Sequence, residues 1–492
     1  MTGNNIAGFL SRRFGFCFYD DKTYSMLNQC LSLYKNEAQG YHTLTLNDGL
    51  RVFKDTVYRL NMAKRIAEDW CSSVVSEDWK VKVNSANRKT SVFLQGSKGS
   101  GGVLGSNDFA DLLPTVLEQC FALGTSALVL GLDNAVVYGD GTIARSGETR
   151  LLIDGYAATN IYILKSRNRR IIDAAFVQEF REGDKELHLV SAHVLEGTGS
   201  ERQYVIYNFV LDGNMRPIDY NGIIPVIKTG SIYPWFCIFR TDIVNNFDMS
   251  SPLGLSVYAN AFSNLQAVDL CYHECVSDVL SGQRIIFMHR NLLAQDSEGN
   301  VTPPQSYRQR YMQYVGDDFV SAEGKERELI KEFNPTLNTD KLDAELQHQL
   351  NLLSDAVGLG VGFYNYDRRS GMTATQYIGE HQEMYRNAAK LSSGFAASLR
   401  VFFNQVIFAG YCAIDESIDK NARVEVELSD GYIESDEQKK ESDRKDVNAG
   451  LMSKVEYRMK WFGETEKQAI ESLAKIDGKN AGGTADNFTV SS

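Results

Sequence analysis

The chain has little proline, no excess of positive charge, no clustered cysteine and no long uninterrupted apolar run. Only 8 prolines in 492 residues argue against a loop-rich all-β protein and leave room for long helices. With 51 Lys and Arg against 63 Asp and Glu, the net charge is -12. That excludes a broad basic face gripping nucleic acid, whose affinity comes from counterion release by Lys and Arg. It leaves open a protein that DNA passes without being held. The eight cysteines (Cys17, Cys30, Cys71, Cys120, Cys237, Cys271, Cys275 and Cys412) are scattered without a C-x-x-C, which predicts reduced thiols and a cytoplasmic folding environment. The opening MTGNNIAGFLSRRFGF has no apolar h-region, and residues 401–414 are interrupted by Asn404 and Gln405. Neither a signal peptide nor a membrane partner is expected, and a soluble protein is.

What is present reads as several folding units. From residue 57 to 75, Leu60, Ala63, Ile66, Trp70 and Val74 recur at three- and four-residue steps, the spacing of an amphipathic helix. WKVKV (79–83) alternates as a strand, and residues 109–123 are helical again. SALVLGL, RLLIDGY and four segments between 161 and 211 follow, parted by Asn-Arg, Glu-Gly-Asp and Gly-Thr-Gly breaks. That is the pattern of an antiparallel meander. The first half is therefore predicted to be α+β.

The second half changes character. Between 256 and 280, Ala261, Leu265, Val268, Tyr272, Cys275 and Val279 form a stripe of near-heptad spacing, ended by Gly282. RIIFM (284–288) reads as a strand, and the residues from there to about 334 as an irregular polar insertion. A second helix then carries Leu342, Leu346, Leu350, Leu353 and Val357 on one face. The two helices are expected to bracket the insertion as a hairpin. A glycine- and aromatic-rich loop, GLGVGFYNYDRRSG, precedes a proline-free helical run over 373–409, roughly 55 Å long. ARVEVEL reads as a strand, 435–446 as a charged helix, and the segment from 450 as a small helical module with a capping pattern at Ser453 and Glu456. Residues 481–492 read as a disordered tail.

Catalytic signatures are lacking. GSKGSGG (96–102) is not the G-x-x-x-x-G-K-[ST] phosphate loop and reads as a flexible surface loop. In CYHEC, Cys271 and Cys275 share a helix face that His273 leaves, so the pair reads as core-facing cysteines instead of a metal site. The remaining histidines form no H-E-x-x-H, and no G-x-S-x-G is present. A non-enzymatic protein without metal or cofactor is expected. Arg368 and Arg369 read either as a solvated turn or, with Tyr364, Asn365 and Tyr366, as a mobile loop showing slight positive charge to a phosphate backbone. Arg284, Arg290, Arg308 and Arg310 enrich the insertion in positive charge and suit protein docking as well as DNA contact.

Five segments, in order, resemble portal proteins of tailed double-stranded-DNA phages, and more narrowly the branch from phages of Gram-positive bacteria. They are RLNMAKRIAEDWCSSVVSED (59–78), SPLGLSVYANAFSNLQAVDLCYHECVSDVLSGQRIIF (251–287), EFNPTLNTDKLDAELQHQLNLLSDAVGLG (332–360), MTATQYIGEHQEMYRNAAK (372–390) and GLMSKVEYRMKWFGETEKQA (450–469). The resemblance implies a multidomain α+β subunit. Its parts would be a wing with an antiparallel sheet (1–250), stem helices (251–283 and 339–357), a clip (284–338), a tunnel loop (358–371), a long wing helix (372–412), a helical crown (413–480) and a tail (481–492). It implies a homo-dodecameric ring at one capsid vertex of the virion, assembled in the host cytoplasm. Double-stranded DNA would be packaged and ejected through its channel. The partners implied are the terminase large subunit, the major capsid or scaffolding protein and a head-completion adaptor, with no membrane. Stem packing would use Leu265, Val268, Tyr272, Leu342, Leu346, Leu350 and Leu353. The clip arginines would meet the motor or adaptor, and 364–369 would face the channel. A minor capsid or connector protein without the channel is the alternative of the same class. An unrecognised nucleic-acid enzyme is the alternative of another.

Overall fold

The computed structural model describes residues 2–47, 52–76, 79–97, 101–282, 285–289, 311–314, 330–334, 336–365, 382–428 and 436–482. The chain divides into two compact units, Met1–Asp430 and Gly431–Ser492.

The larger unit opens with α1 (Thr2–Phe14), α2 (Asp21–Tyr34) and a β-hairpin, β1 (Thr43–Asn47) with β2 (Val52–Thr56). Helix α3 (Met62–Val74), strand β3 (Lys80–Asn84), α4 (Arg88–Gln95), α5 (Gly102–Ser106) and α6 (Phe109–Leu123) come next. Strands then take over: β4 (Thr125–Asp133), a short pair β5 (Val136–Val137) and β6 (Ile143–Ala144), and β7 (Arg150–Ala157). The expected meander is formed by β8 (Ile161–Arg167), β9 (Arg170–Glu182), β10 (Lys185–Glu196) and β11 (Gln203–Leu211). Strands β12 (Pro217–Ile218) and β13 (Val226–Lys228) both pair with β11, and β14 (Phe236–Arg240) pairs with β4.

All the pairings within this six-stranded sheet are antiparallel, in the order β12-β11-β10-β9-β8. The turns explain the register. Asn168 and Arg169 both sit at positive φ between Arg167 and its partner Arg170, as a two-residue hairpin of right-handed twist demands. One face of the sheet is covered by α1, where Ile6 and Leu10 meet Val177, Val190 and Ala192. The other face packs on a second, three-stranded sheet, β14-β4-β7, through Phe176, Ile161, Phe236 and Val129. The far side of that second sheet (Leu128, Leu130, Ile153) closes the main core with α3 and α6. Strand β4 is thus covered on both faces, which fits the unbroken apolar run Ala127-Leu128-Val129-Leu130.

The first hairpin helix, α7, spans Phe262–Ser281. The sequence pattern placed its start near residue 256, and the structure corrects this. Ser256 and Tyr258 are buried in irregular chain, the Tyr258 hydroxyl donating to the Cys30 carbonyl at 3.0 Å. The backbone here bonds outward: Val257 N–H reaches Phe121 O at 3.1 Å, and Gly254 N–H reaches Thr125 Oγ1 at 2.8 Å. A Cβ on Gly254 would lie 2.1 Å from the Gly124 carbonyl, so only glycine fits. The insertion, expected to be irregular beyond its first strand, contains a three-stranded sheet. Strand β15 (Ile285–His289) lies between β16 (Tyr311–Tyr314), parallel to it, and β17 (Ile330–Phe333), antiparallel to it.

Helix α8 (Thr339–Ala356) returns beside α7. Helix α9 (Gln382–Ala413) follows, 32 residues or about 48 Å. Of its expected run, 373–381 lie outside the described residues. It is long and apolar enough to cross a membrane, yet Phe402, Phe403, Val406 and Ile407 are wholly buried in the main core, so it is a core helix here. Strand β18 (Arg423–Glu427) pairs with β3 nearly 340 residues earlier. Lys80 and Lys82 lie opposite Glu427 and Glu425 on its outer face, while Val424 and Val426 are buried. The larger unit runs on through this strand to Asp430.

The smaller unit comprises α10 (Asp436–Asn448), α11 (Lys454–Phe462) and α12 (Glu466–Gly482). The capping pattern read at Ser453 forms: Glu456 N–H donates to Ser453 Oγ at 3.1 Å and Ser453 N–H to Glu456 Oε2 at 2.9 Å. Helix α12 takes in Ala481 and Gly482 of the expected tail, and 483–492 lie outside the described residues.

Candidate functional site at the base of the helix hairpin

The apolar stripes of α7 and α8 meet where the hairpin joins the main core. Leu265, Val268, Leu350 and Leu353 are each at most 4% exposed. One turn outward Leu346 is half-buried against them; Leu342 and Tyr272 are half-buried further out, and Val279 is 50% exposed. The hairpin is thus core-like at its base and open at its tip. There Asn338 N–H donates to Asp278 Oδ2 at 2.9 Å, capping the return into α8.

The adjoining face of α7 is a polar clamp that the sequence reading missed. Asp269 is buried and accepts three hydrogen bonds: from Leu60 N–H at 2.9 Å, from the Tyr41 hydroxyl at 3.0 Å and from His42 Nε2 at 3.0 Å. His42 Nδ1 accepts from Gln39 N–H at 2.8 Å, so the ring proton sits on Nε2 and points at the carboxylate. One turn on, His273 is buried under Tyr58 and its Nδ1 accepts from Tyr58 N–H at 3.3 Å. The i, i+4 spacing of Asp269 and His273 was the available signal. The reading of CYHEC is corrected here: His273 is the buried member, while Cys271 and Cys275 are only half-buried. Burial raises both thiol pKa values, and the carboxylates of α8 add to it, Glu345 at Cys271 and Asp343 at Cys275.

The chain leaving α8 is pinned to α3. Gly358, Gly360 and Gly362 all take positive φ, which turns the chain sharply while Leu359 stays buried. Trp70 Nε1–H donates to the Val357 carbonyl at 3.1 Å. The Tyr364 hydroxyl donates to Asp69 Oδ2 at 3.0 Å, Arg65 Nε donates to the same oxygen at 3.0 Å, and Gln347 Nε2 donates to the Tyr364 carbonyl at 3.2 Å. Burial pushes the Asp69 carboxyl pKa upward, and Arg65 and Tyr364 oppose that shift. Tyr364 and Asn365 are half-buried, and Asn365 N–H donates to Gly362 O at 3.1 Å. Tyr366, Arg368 and Arg369 lie outside the described residues, as do Arg284, Arg290, Arg308 and Arg310.

Away from these contacts the hairpin presents Glu274, Asp340, Asp343, Glu345 and Asp355 to solvent, against Lys341. Such a face repels polyanions. Among the described residues, no three His, Cys, Asp or Glu side chains converge as metal ligands.

No family model matches the sequence, and no curated protein matches it. Among solved structures, the chain is similar to one described as "Neck of native GTA particle computed with C12 symmetry". The identity is 11% and the TM-score 0.37, over 81% of this chain and 88% of that one.

Proposed function

We propose that this chain is the subunit of a phage portal ring, a non-enzymatic conduit through which a separate terminase motor packages double-stranded DNA and through which the DNA later leaves. The observation that carries the reading is the architecture of 251–365 and 382–413: a helix hairpin rooted in the main core, bracketing a small sheet, then a pinned glycine loop and, from Gln382, a 32-residue core helix. Three of the five sequence segments resembling the portal family, 251–287, 332–360 and 372–390, fall on those parts in the same order. In this reading the hairpin is the stem, β15–β17 belong to the clip that meets the motor and the head-completion adaptor, and α9 is the wing helix. The acidic outer face of the stem suits a channel past which DNA slides, because repulsion keeps the phosphates from sticking. The resemblance assigns Arg368 and Arg369 as transient contacts of that channel, while Tyr364 anchors the chain before them through Asp69.

The test is mass photometry of the purified chain with negative-stain imaging of the same sample. A closed ring of roughly 660 kDa, twelve copies of the 55.1 kDa chain around a central hole, is expected. A persistent monomer or dimer across several salt concentrations sinks the proposal.

A further inference from the structure

The described side chains of the smaller unit bury little apolar surface. Among its described side chains only Ala469 and Asp443 are buried, whereas Leu451 is 81% exposed, Phe462 54%, Ile470 52% and Met459 41%. Helical modules below about 50 residues are seldom stable without a staple or a partner, since they cannot bury enough apolar surface. Directed polar contacts fix how α11 sits. Trp461 Nε1–H donates to Asp443 Oδ2 at 2.7 Å, and Lys460 Nζ pairs with the same oxygen at 2.6 Å. Arg458 binds both carboxylate oxygens of Glu464, at 2.8 and 2.7 Å. With Trp461 and Arg458 so committed, half-buried Val455 and exposed Met459 and Phe462, at steps of four and three, share one face of α11. The Lys440 ammonium and the Arg458 guanidinium both lie over the Phe462 ring, at 5.2 and 4.9 Å from its centroid. Those cations hold it still, so little side-chain entropy is left to lose when something covers it.

We infer that the Val455–Met459–Phe462 face is covered by the same unit of a second copy of this chain, in a head-to-tail contact in which Leu451 and Ile470 supply the complementary apolar surface. The choice of occupant rests on charge. Residues 436–482 contain ten acidic and ten basic side chains, while the whole chain carries -12. Copies of the chain repel one another over most of their surface, and this unit is where they approach without that cost. Its balanced charge gives nucleic acid nothing to hold. A head-to-tail contact is also what a closed ring of copies requires, so the inference deepens the portal reading by naming one of its self-contacts.

The full-length chain carrying Phe462→p-benzoylphenylalanine, irradiated and run under denaturing conditions, should give a ladder of covalent multimers. Peptide mapping should join position 462 to residues 436–482 of another copy. Crosslinks confined to single chains, crosslinks only to residues 1–430 of another copy, or no crosslinks would each overturn the inference. Met459→Asp with Phe462→Asp should raise the concentration for half-assembly at least about tenfold. Unchanged assembly in that double variant also overturns it. Mass photometry of the unaltered chain separates the two failures. Rings with only single-chain crosslinks remove the inference and leave the portal reading, whereas a chain that stays monomeric removes the portal reading itself.

Discussion

The double sheet of the larger unit and the base of the helix hairpin both bury histidine, and they treat it in opposite ways. In the sheet layer His193 is fully buried between Phe176 and Phe236, with ring centroids 5.5 and 5.6 Å away, and neither ring nitrogen has a hydrogen-bond partner. At the hairpin base every ring nitrogen of His42 and His273 is engaged, by Gln39 and Asp269 for the first and by Tyr58 and Ser277 for the second. An imidazole without partners is tolerated only while neutral, and it makes the sandwich sensitive to acid. The satisfied network instead makes the clamp on α7 depend on one carboxylate. One region is held by packing and the other by directed bonds, and substitutions should separate them.

The largest effect is expected where hairpin and core are continuous. Leu353→Asp places a charge at a wholly buried position and should lower the stability of the larger unit by about 4 kcal/mol or more, whereas Leu342→Asp, three turns outward, should cost under about 1 kcal/mol. Thermal melts of the two variants check the gradient; equal losses would mean that the hairpin is buried along its length. Next comes Asp269→Ala, which strands the Leu60 N–H, the Tyr41 hydroxyl and the His42 Nε2–H without an acceptor. A loss of about 3 kcal/mol is expected in denaturant titration, with partial recovery in Asp269→Asn, and a loss below about 1 kcal/mol would show that the clamp is not what seats α7.

The smallest effect depends on pH. Burial lowers the His193 pKa from 6.5 to about 3. Because the folded-state value is depressed, its contribution is fully present above pH 6.5 and is lost as pH falls toward 3. Between pH 6.5 and pH 5 that amounts to about 2 kcal/mol. His193→Leu should therefore flatten the fall in melting temperature across this range; a fall as steep as that of the unaltered chain would assign the acid sensitivity to other groups.

Much of the local structure was legible from periodicity. Strands β4, β7, β8–β11 and β18, helices α3, α6 and α8, and the Ser453–Glu456 cap all lie close to where spacing and turn residues put them. The misreadings share a cause. Residues 256–261 have apolar and small side chains at helical steps, but Val257 N–H bonds to Phe121 O on α6, while Ala259 and Ala261 N–H bond back to Ser256 O and Tyr258 O in a tighter 3-10 turn, so tertiary contacts delay the α-helix to Phe262. The strands β16 and β17 are four residues each, and polar sequence gives no sign that β15 will pair with both.

The sequence by itself determined which segments become helix or strand, because side-chain period and turn chemistry act within a few residues. It also determined that the chain is acidic and that its apolar stripes suit packing between helices. Only the tertiary structure decided that β18 closes against β3, that Asp269 and His273 face the chain between β1 and α3, and that Tyr364 is tied to Asp69. Those partners lie hundreds of residues apart, and which of them meet depends on how whole layers stack, a choice that no local period encodes.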